Sequence, residues 1–155
     1  MYNLNKWQKA SLIALRVIIG WHFLHEGIIK LLNKSWSSSS YLSEAKWILS
    51  GLFHEIAENP KWIKVVDFLN IWGLIFIGTS LIIGLFSRMA LIAGMLLLLI
   101  YYLGTIPLPG LDYNFPTEGN YLIVNKILIE LVALLVLFFF PTSKYLGFDK
   151  LIFKN

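Results

Sequence analysis

The chain has 155 residues, a length that sets a single domain as the starting expectation. Hydrophobic residues make up 57% and charged residues 14%, with a mean hydropathy of +0.70; a soluble domain carries about 25% charged residues, so the expected solvent is lipid. The absence of cysteine excludes disulfide relay, thiolate catalysis, iron–sulfur clusters and cysteine-ligated zinc, and the net charge of +4 sits in loops and tails beside apolar runs, which reads as topology and anionic-lipid contact rather than nucleic-acid binding.

In chain order, four windows meet the ~20 mostly apolar residues that a crossing needs. All must be helical, because lipid offers no water to unpaired backbone groups. The first covers 11–32. It carries Arg16, His22, His25, Glu26 and Lys30, too much charge for a cleavable leader, so the N-terminus is expected to be retained. Gly20 and Gly27 lie beside the charged face and would let another helix approach closely.

Next comes a linker, Trp36-Ser37-Ser38-Ser39-Ser40, and then apolar residues at helical spacing over 41–57. The spacing predicts an amphipathic helix ended by Pro60. It is either interfacial, with Trp36, Trp47 and Trp62 as anchors, or a lid packed on the other helices. The second span is expected at 65–86, the third at 88–103 after a tight turn at Ser87-Arg88, and the fourth at 121–140, stopped by Pro141. The expected fold is an all-α, single-domain, four-helix membrane bundle.

Lys6 and Lys9 precede the first span, Arg88 sits at the second turn, and Lys144, Lys150 and Lys154 follow the fourth. An even number of spans puts all of them on one side, which favours cytoplasmic termini. On this reading Arg16 and Arg88 serve structure and topology.

Charges inside spans are costly, roughly 2.5–3.5 kcal/mol each at a helix centre, so each calls for a partner or a function. His22, His25, Glu26 and Lys30 fall on one broad face of the first helix, and Lys126 and Glu130 are four apart in the last. With cytoplasmic termini, His25, Glu26, Lys30, Asp67, Asn70, Asn125 and Lys126 converge on one depth in the outer half, with Tyr101 and Tyr102 closing the third span there and Glu130 near the bilayer middle. The candidate site is therefore a polar pocket of His22, His25, Glu26, Lys30, Asp67, Asn70, Asn125, Lys126 and Glu130. No catalytic role is assigned within it. The bland alternative is that these groups simply pair to hold helices together.

Specific chemistries mostly fail. His22-Phe23-Leu24-His25-Glu26 matches neither zinc-protease pattern, so no metal is expected. Haem held between two histidines needs facing helices, and the spans supply both from one. An apolar slot with one or two hydrogen-bond donors does suit a quinone.

Several stretches together resemble the DoxX family of small four-helix membrane proteins. They are Arg16-Val17-Ile18-Ile19-Gly20-Trp21-His22-Phe23-Leu24, Glu26-Gly27, Lys30-Leu31, Val66-Asp67-Phe68-Leu69-Asn70-Ile71-Trp72-Gly73-Leu74, Gly84-Leu85-Phe86-Ser87-Arg88, Tyr101-Tyr102-Leu103 and Lys126-Ile127-Leu128-Ile129-Glu130. Shorter matches are Trp36-Ser37-Ser38, Glu118-Gly119-Asn120-Tyr121-Leu122 and Gly147-Phe148-Asp149. The sequence departs from the pattern at His25, where relatives have Tyr, and at Ile106-Pro107-Leu108-Pro109. The resemblance implies a multi-pass protein of a bacterial inner membrane, similar to the small subunit of a thiosulfate:quinone oxidoreductase. It implies a quinone-linked, redox-associated role, with the bilayer, a redox subunit and a second copy as candidate partners. A non-catalytic membrane partner, or a small-solute binding or transport protein, is the other reading of the same residues.

Overall fold

The computed structural model describes residues 4–108, 110–111, 113–114 and 122–152, and every regular element named below is a helix. α1 spans Lys6–Leu32, α2 Ser39–Ser43, α3 Ser50–Glu58, α4 Pro60–Ile83, α5 Ser87–Gly104 and α6 Lys126–Phe139; a 3-10 turn at Thr142–Lys144 and the short α7, Asp149–Ile152, follow. The helix starts are written locally. Asn5 and Gln8 cap α1 reciprocally, side chain to backbone, at 2.9 Å each way. Asn59 caps α4 ahead of Pro60, which occupies the first helical position where its missing N–H costs nothing. Asn125 caps α6 by accepting from the Leu128 amide at 2.9 Å.

Three helices, α1, α4 and α5, are long and apolar enough to cross a membrane. At 1.5 Å per residue they reach about 40, 36 and 27 Å. Their outward faces carry Ile18, Trp21, Phe68, Leu69, Phe76 and Leu96 in the open. An apolar exterior of this extent fits hydrocarbon and would aggregate in water. Inside, Ile19, Phe23, Leu74, Ile77, Leu81, Leu98, Leu134 and Leu137 form one core to which all of α1, α4, α5 and α6 contribute.

The tightest packing is between α1 and α4. A Cβ added to Gly78 would lie 2.4 Å from the Leu24 amide nitrogen, and one added to Gly27 would lie 2.7 Å from Ile75. Gly20 meets Leu81 and the Gly78 carbonyl in the same way. The expectation that Gly20 and Gly27 admit a neighbour is met by α4, which brings its own glycine to the crossing.

Two expectations change. The continuous helix foreseen over 41–57 is divided into α2 and α3, with a break at 44–49. Leu42, Ala45 and Phe53 turn inward as a second small core that packs on Ile63 and Val66 of α4. Folding the segment back on itself buries these three at once, which a straight helix lying flat could not do. The last long helix begins at Lys126 instead of 121, because Asn125 is spent as its cap; residue 121 itself lies outside the described residues.

Candidate ligand-binding site

A cavity of about 170 Å³ lies among α1, α4, α5 and α6. Phe23, Leu74, Leu98 and Ile127 supply its apolar walls, and His22, Glu26, Lys30, Tyr101, Lys126 and Glu130 supply its polar groups. Helical spacing explains why one element contributes so much. His22, Glu26 and Lys30 follow each other at four-residue steps down one face of α1, and Lys126 and Glu130 do the same on α6.

The His22 Nδ1 sits 2.8 Å from Glu130 Oε1, joining α1 to α6. The Glu130 side chain is 14% exposed and that of His22 50%, so the carboxylate is sheltered while the ring faces the cavity mouth. A carboxylate that orients one ring nitrogen leaves the other free to exchange a proton with a ligand.

Lys30 lies in a cage. Its ammonium is 3.7 Å from Glu26 and 3.4 Å from Asn70 Oδ1, which accepts from it. The Trp36 and Tyr101 rings lie 5.1 and 5.6 Å away, within cation–π range. Asn70 in turn donates through Nδ2 to the Tyr101 hydroxyl. The Tyr101 oxygen therefore acts as an acceptor toward Asn70, which leaves its O–H available as a donor, and Tyr101 lines the cavity.

The loop above this site is fastened down. Ser38 donates to Asp67 Oδ1 through its amide at 2.7 Å and its hydroxyl at 2.6 Å. The Tyr41 hydroxyl donates to the Tyr101 carbonyl, and a Cβ on Gly104 would meet that hydroxyl at 2.7 Å. Of the two placements foreseen for this segment, its inner face takes that of a lid. Burial pushes the Tyr41 phenol up to about 12.

The sequence-predicted residues thus divide. His22, Glu26, Lys30, Lys126 and Glu130 line the cavity, and Asn70 backs it. His25 does not belong. One helical step of 100° beyond Leu24 carries it outward, where it lies against Trp21 with ring centroids 6.1 Å apart. Asp67 is spent on Ser38, and Asn125 on the cap of α6. Sequence reasoning left out Tyr101 as a pocket donor and Trp36 as part of the Lys30 cage. The only signal for Tyr101 was a phenol ending an apolar run at the depth of Asn70.

Arg16 and Arg88 lie at the other end of the helices, around the α4–α5 turn. Arg16 is only 2% exposed and donates to Leu146 O at 2.7 Å and Thr142 Oγ1 at 3.2 Å. It is thus a buried clasp for the segment after α6. Comparison with family models, with curated proteins and with solved structures finds no match for the chain.

Proposed function

We propose that the protein is a DoxX-like, quinone-linked membrane subunit of a bacterial inner membrane, binding a quinone head group in the cavity between His22 and Tyr101. In this reading α6 is the fourth span. At 14 residues it reaches about 21 Å, short of a ~30 Å core, and the 122–125 segment tied to α5 by Tyr102 Oη on Ile123 O extends it. Four spans put both termini on one face, the cytoplasmic one by the lysine bias. Ile48 and Leu52, exposed on the outer side of the lid, then sit with Trp62 at the opposite interface.

The observation that carries the proposal is the pairing of donors on one apolar-walled cavity. A quinone is a flat apolar ring with two carbonyl oxygens. The Tyr101 O–H and the His22 ring, held by Glu130, are two donors for those oxygens. The volume is right for one ring, since a cavity of about 150 Å³ holds benzene. Reducing a quinone to a quinol takes two electrons and two protons. In this reading a redox partner subunit supplies the two electrons. His22, held by Glu130, gives one proton to the oxygen it faces, Tyr101 gives one to the other, and each is re-protonated from outside the cavity. The motif resemblance supports the same reading.

The test is binding of a short-tailed quinone to the purified protein in lipid nanodiscs, followed by quenching of its tryptophans. Tyr101→Phe and Glu130→Gln are each expected to weaken binding about tenfold, the worth of one good hydrogen bond. Wild-type protein that binds no quinone, alone or with the products of neighbouring genes, would rule the proposal out. Retention of a small polar solute in its place would favour a solute-binding protein.

A further inference from the structure

At the far end of the helices a second cavity, of about 20 Å³, lies between Arg16, Ser87, Arg88, Leu137, Thr142 and Ser143. Two side-chain atoms on it stand out. Arg16 Nε and Ser87 Oγ are fully buried, and among the described residues neither has a hydrogen-bond partner. Their residues are 2% and 3% exposed. Buried polar atoms are nearly always paired, because each unpaired one costs about 1–3 kcal/mol. Two orphans on one cavity point to a shared partner.

The charge around the cavity says what kind. Two guanidinium groups and three hydroxyls line it, and no carboxylate does. One acid, Asp149, acts on Arg16 from outside the cavity, and its oxygens accept from the Phe86 amide at 2.7 Å and the Ser87 amide at 3.1 Å. Arg16's other two nitrogens bond neutral oxygens. A water would satisfy the orphans but leave two guanidinium groups on one cavity with the single carboxylate of Asp149 as counter-charge among the described residues. An anion satisfies both demands.

Size and position narrow the class. A buried water needs on the order of 10–15 Å³, so the cavity admits one oxygen-sized atom. Arg88 is exposed at its rim, its guanidinium 5.0 Å over the Phe138 ring. The α4–α5 turn is where two apolar helices meet the polar boundary of a membrane, the level of lipid phosphates. We propose that this cavity seats one oxygen of a phosphate-class oxyanion, between Arg16 Nε and Ser87 Oγ, while Arg88 takes a second oxygen outside. The source is an anionic phospholipid headgroup or free phosphate. Both present the same tetrahedral oxygens to an arginine fork.

The full chain in phosphate-free maltoside micelles separates the sources. Inorganic phosphate and a short-chain phosphatidylglycerol are titrated separately, with thermal unfolding and native mass spectrometry as readouts and sodium chloride as the ionic-strength control. Stabilisation by phosphatidylglycerol, with one lipid retained per chain, marks a headgroup site; stabilisation by phosphate alone marks a free-anion site. Ser87→Ala removes an uncharged donor without disturbing Arg16, and Arg88→Gln removes the rim charge. Each is expected to weaken the stabilising titration about tenfold. Absence of stabilisation by either compound, as a resident water would give, overturns the proposal. So does a response that sodium chloride reproduces, or one that Ser87→Ala leaves unchanged.

Discussion

His22 and His25 are three residues apart on one helix and meet different fates. The 300° between them carries one into the cavity and the other out against Trp21. Residue types named the polar set, but the direction of each side chain was set by which neighbour arrived. Tyr41 makes this scale testable. Burial raises its phenol to about 12, against about 10 for an unfolded chain. Its folded form holds the proton more tightly, so the stability it lends is complete below pH 10 and declines as pH rises from 10 toward 12. Thermal unfolding in micelles is expected to show this alkaline decline. Tyr41→Phe should remove that limb while lowering stability at neutral pH by roughly 1 kcal/mol for the lost bond to the Tyr101 carbonyl.

Among the elements, the α1–α4 crossing is the most constrained. Gly78→Ala places a methyl 2.4 Å from backbone that cannot yield locally, so the helices must separate. A loss of about 1–3 kcal/mol is expected in a denaturant titration in micelles. Gly73 has open space around its Cβ direction, and Gly73→Ala should be neutral or stabilising. The long helices were legible because apolar run length is a global property of a segment. The division of the lid was not, since 41–57 keeps helical periodicity right through the break that the structure makes at 44–49. What decides that break is the fit of Leu42, Ala45 and Phe53 against α4, a tertiary fact with no local mark. The shift of the last helix to Lys126 is different. Asn125 is a strong cap residue, and hydropathy alone passes over it.

For the whole molecule, the distribution of polar groups is the organising feature. One end of the helices holds acids, lysines and a histidine around a ring-sized cavity; the other holds arginines and hydroxyls around a much smaller one. The four-residue spacings that set His22, Glu26 and Lys30 on one face of α1, and Lys126 and Glu130 on one face of α6, were readable in the sequence. The second cavity was not, because Ser87 looks like an ordinary turn residue until Arg16 is seen beside it. If α6 crosses the membrane, reporter fusions at the two termini will report the same compartment, and a fusion in the Trp36–Trp47 loop the opposite one. Termini on opposite faces would reduce the count to three spans.

The Arg16 clasp also bears on how the protein is made. Its guanidinium enters the membrane with the first helix, yet its partners, Thr142 and Leu146, lie 126 and 130 residues later in the chain. Domains generally order themselves from the N-terminus as synthesis proceeds. Here the first helix carries a guanidinium whose hydrogen-bond acceptors are made only after α6. A chain cut before Thr142 is expected to leave Arg16 without these two acceptors and to lose the clasp.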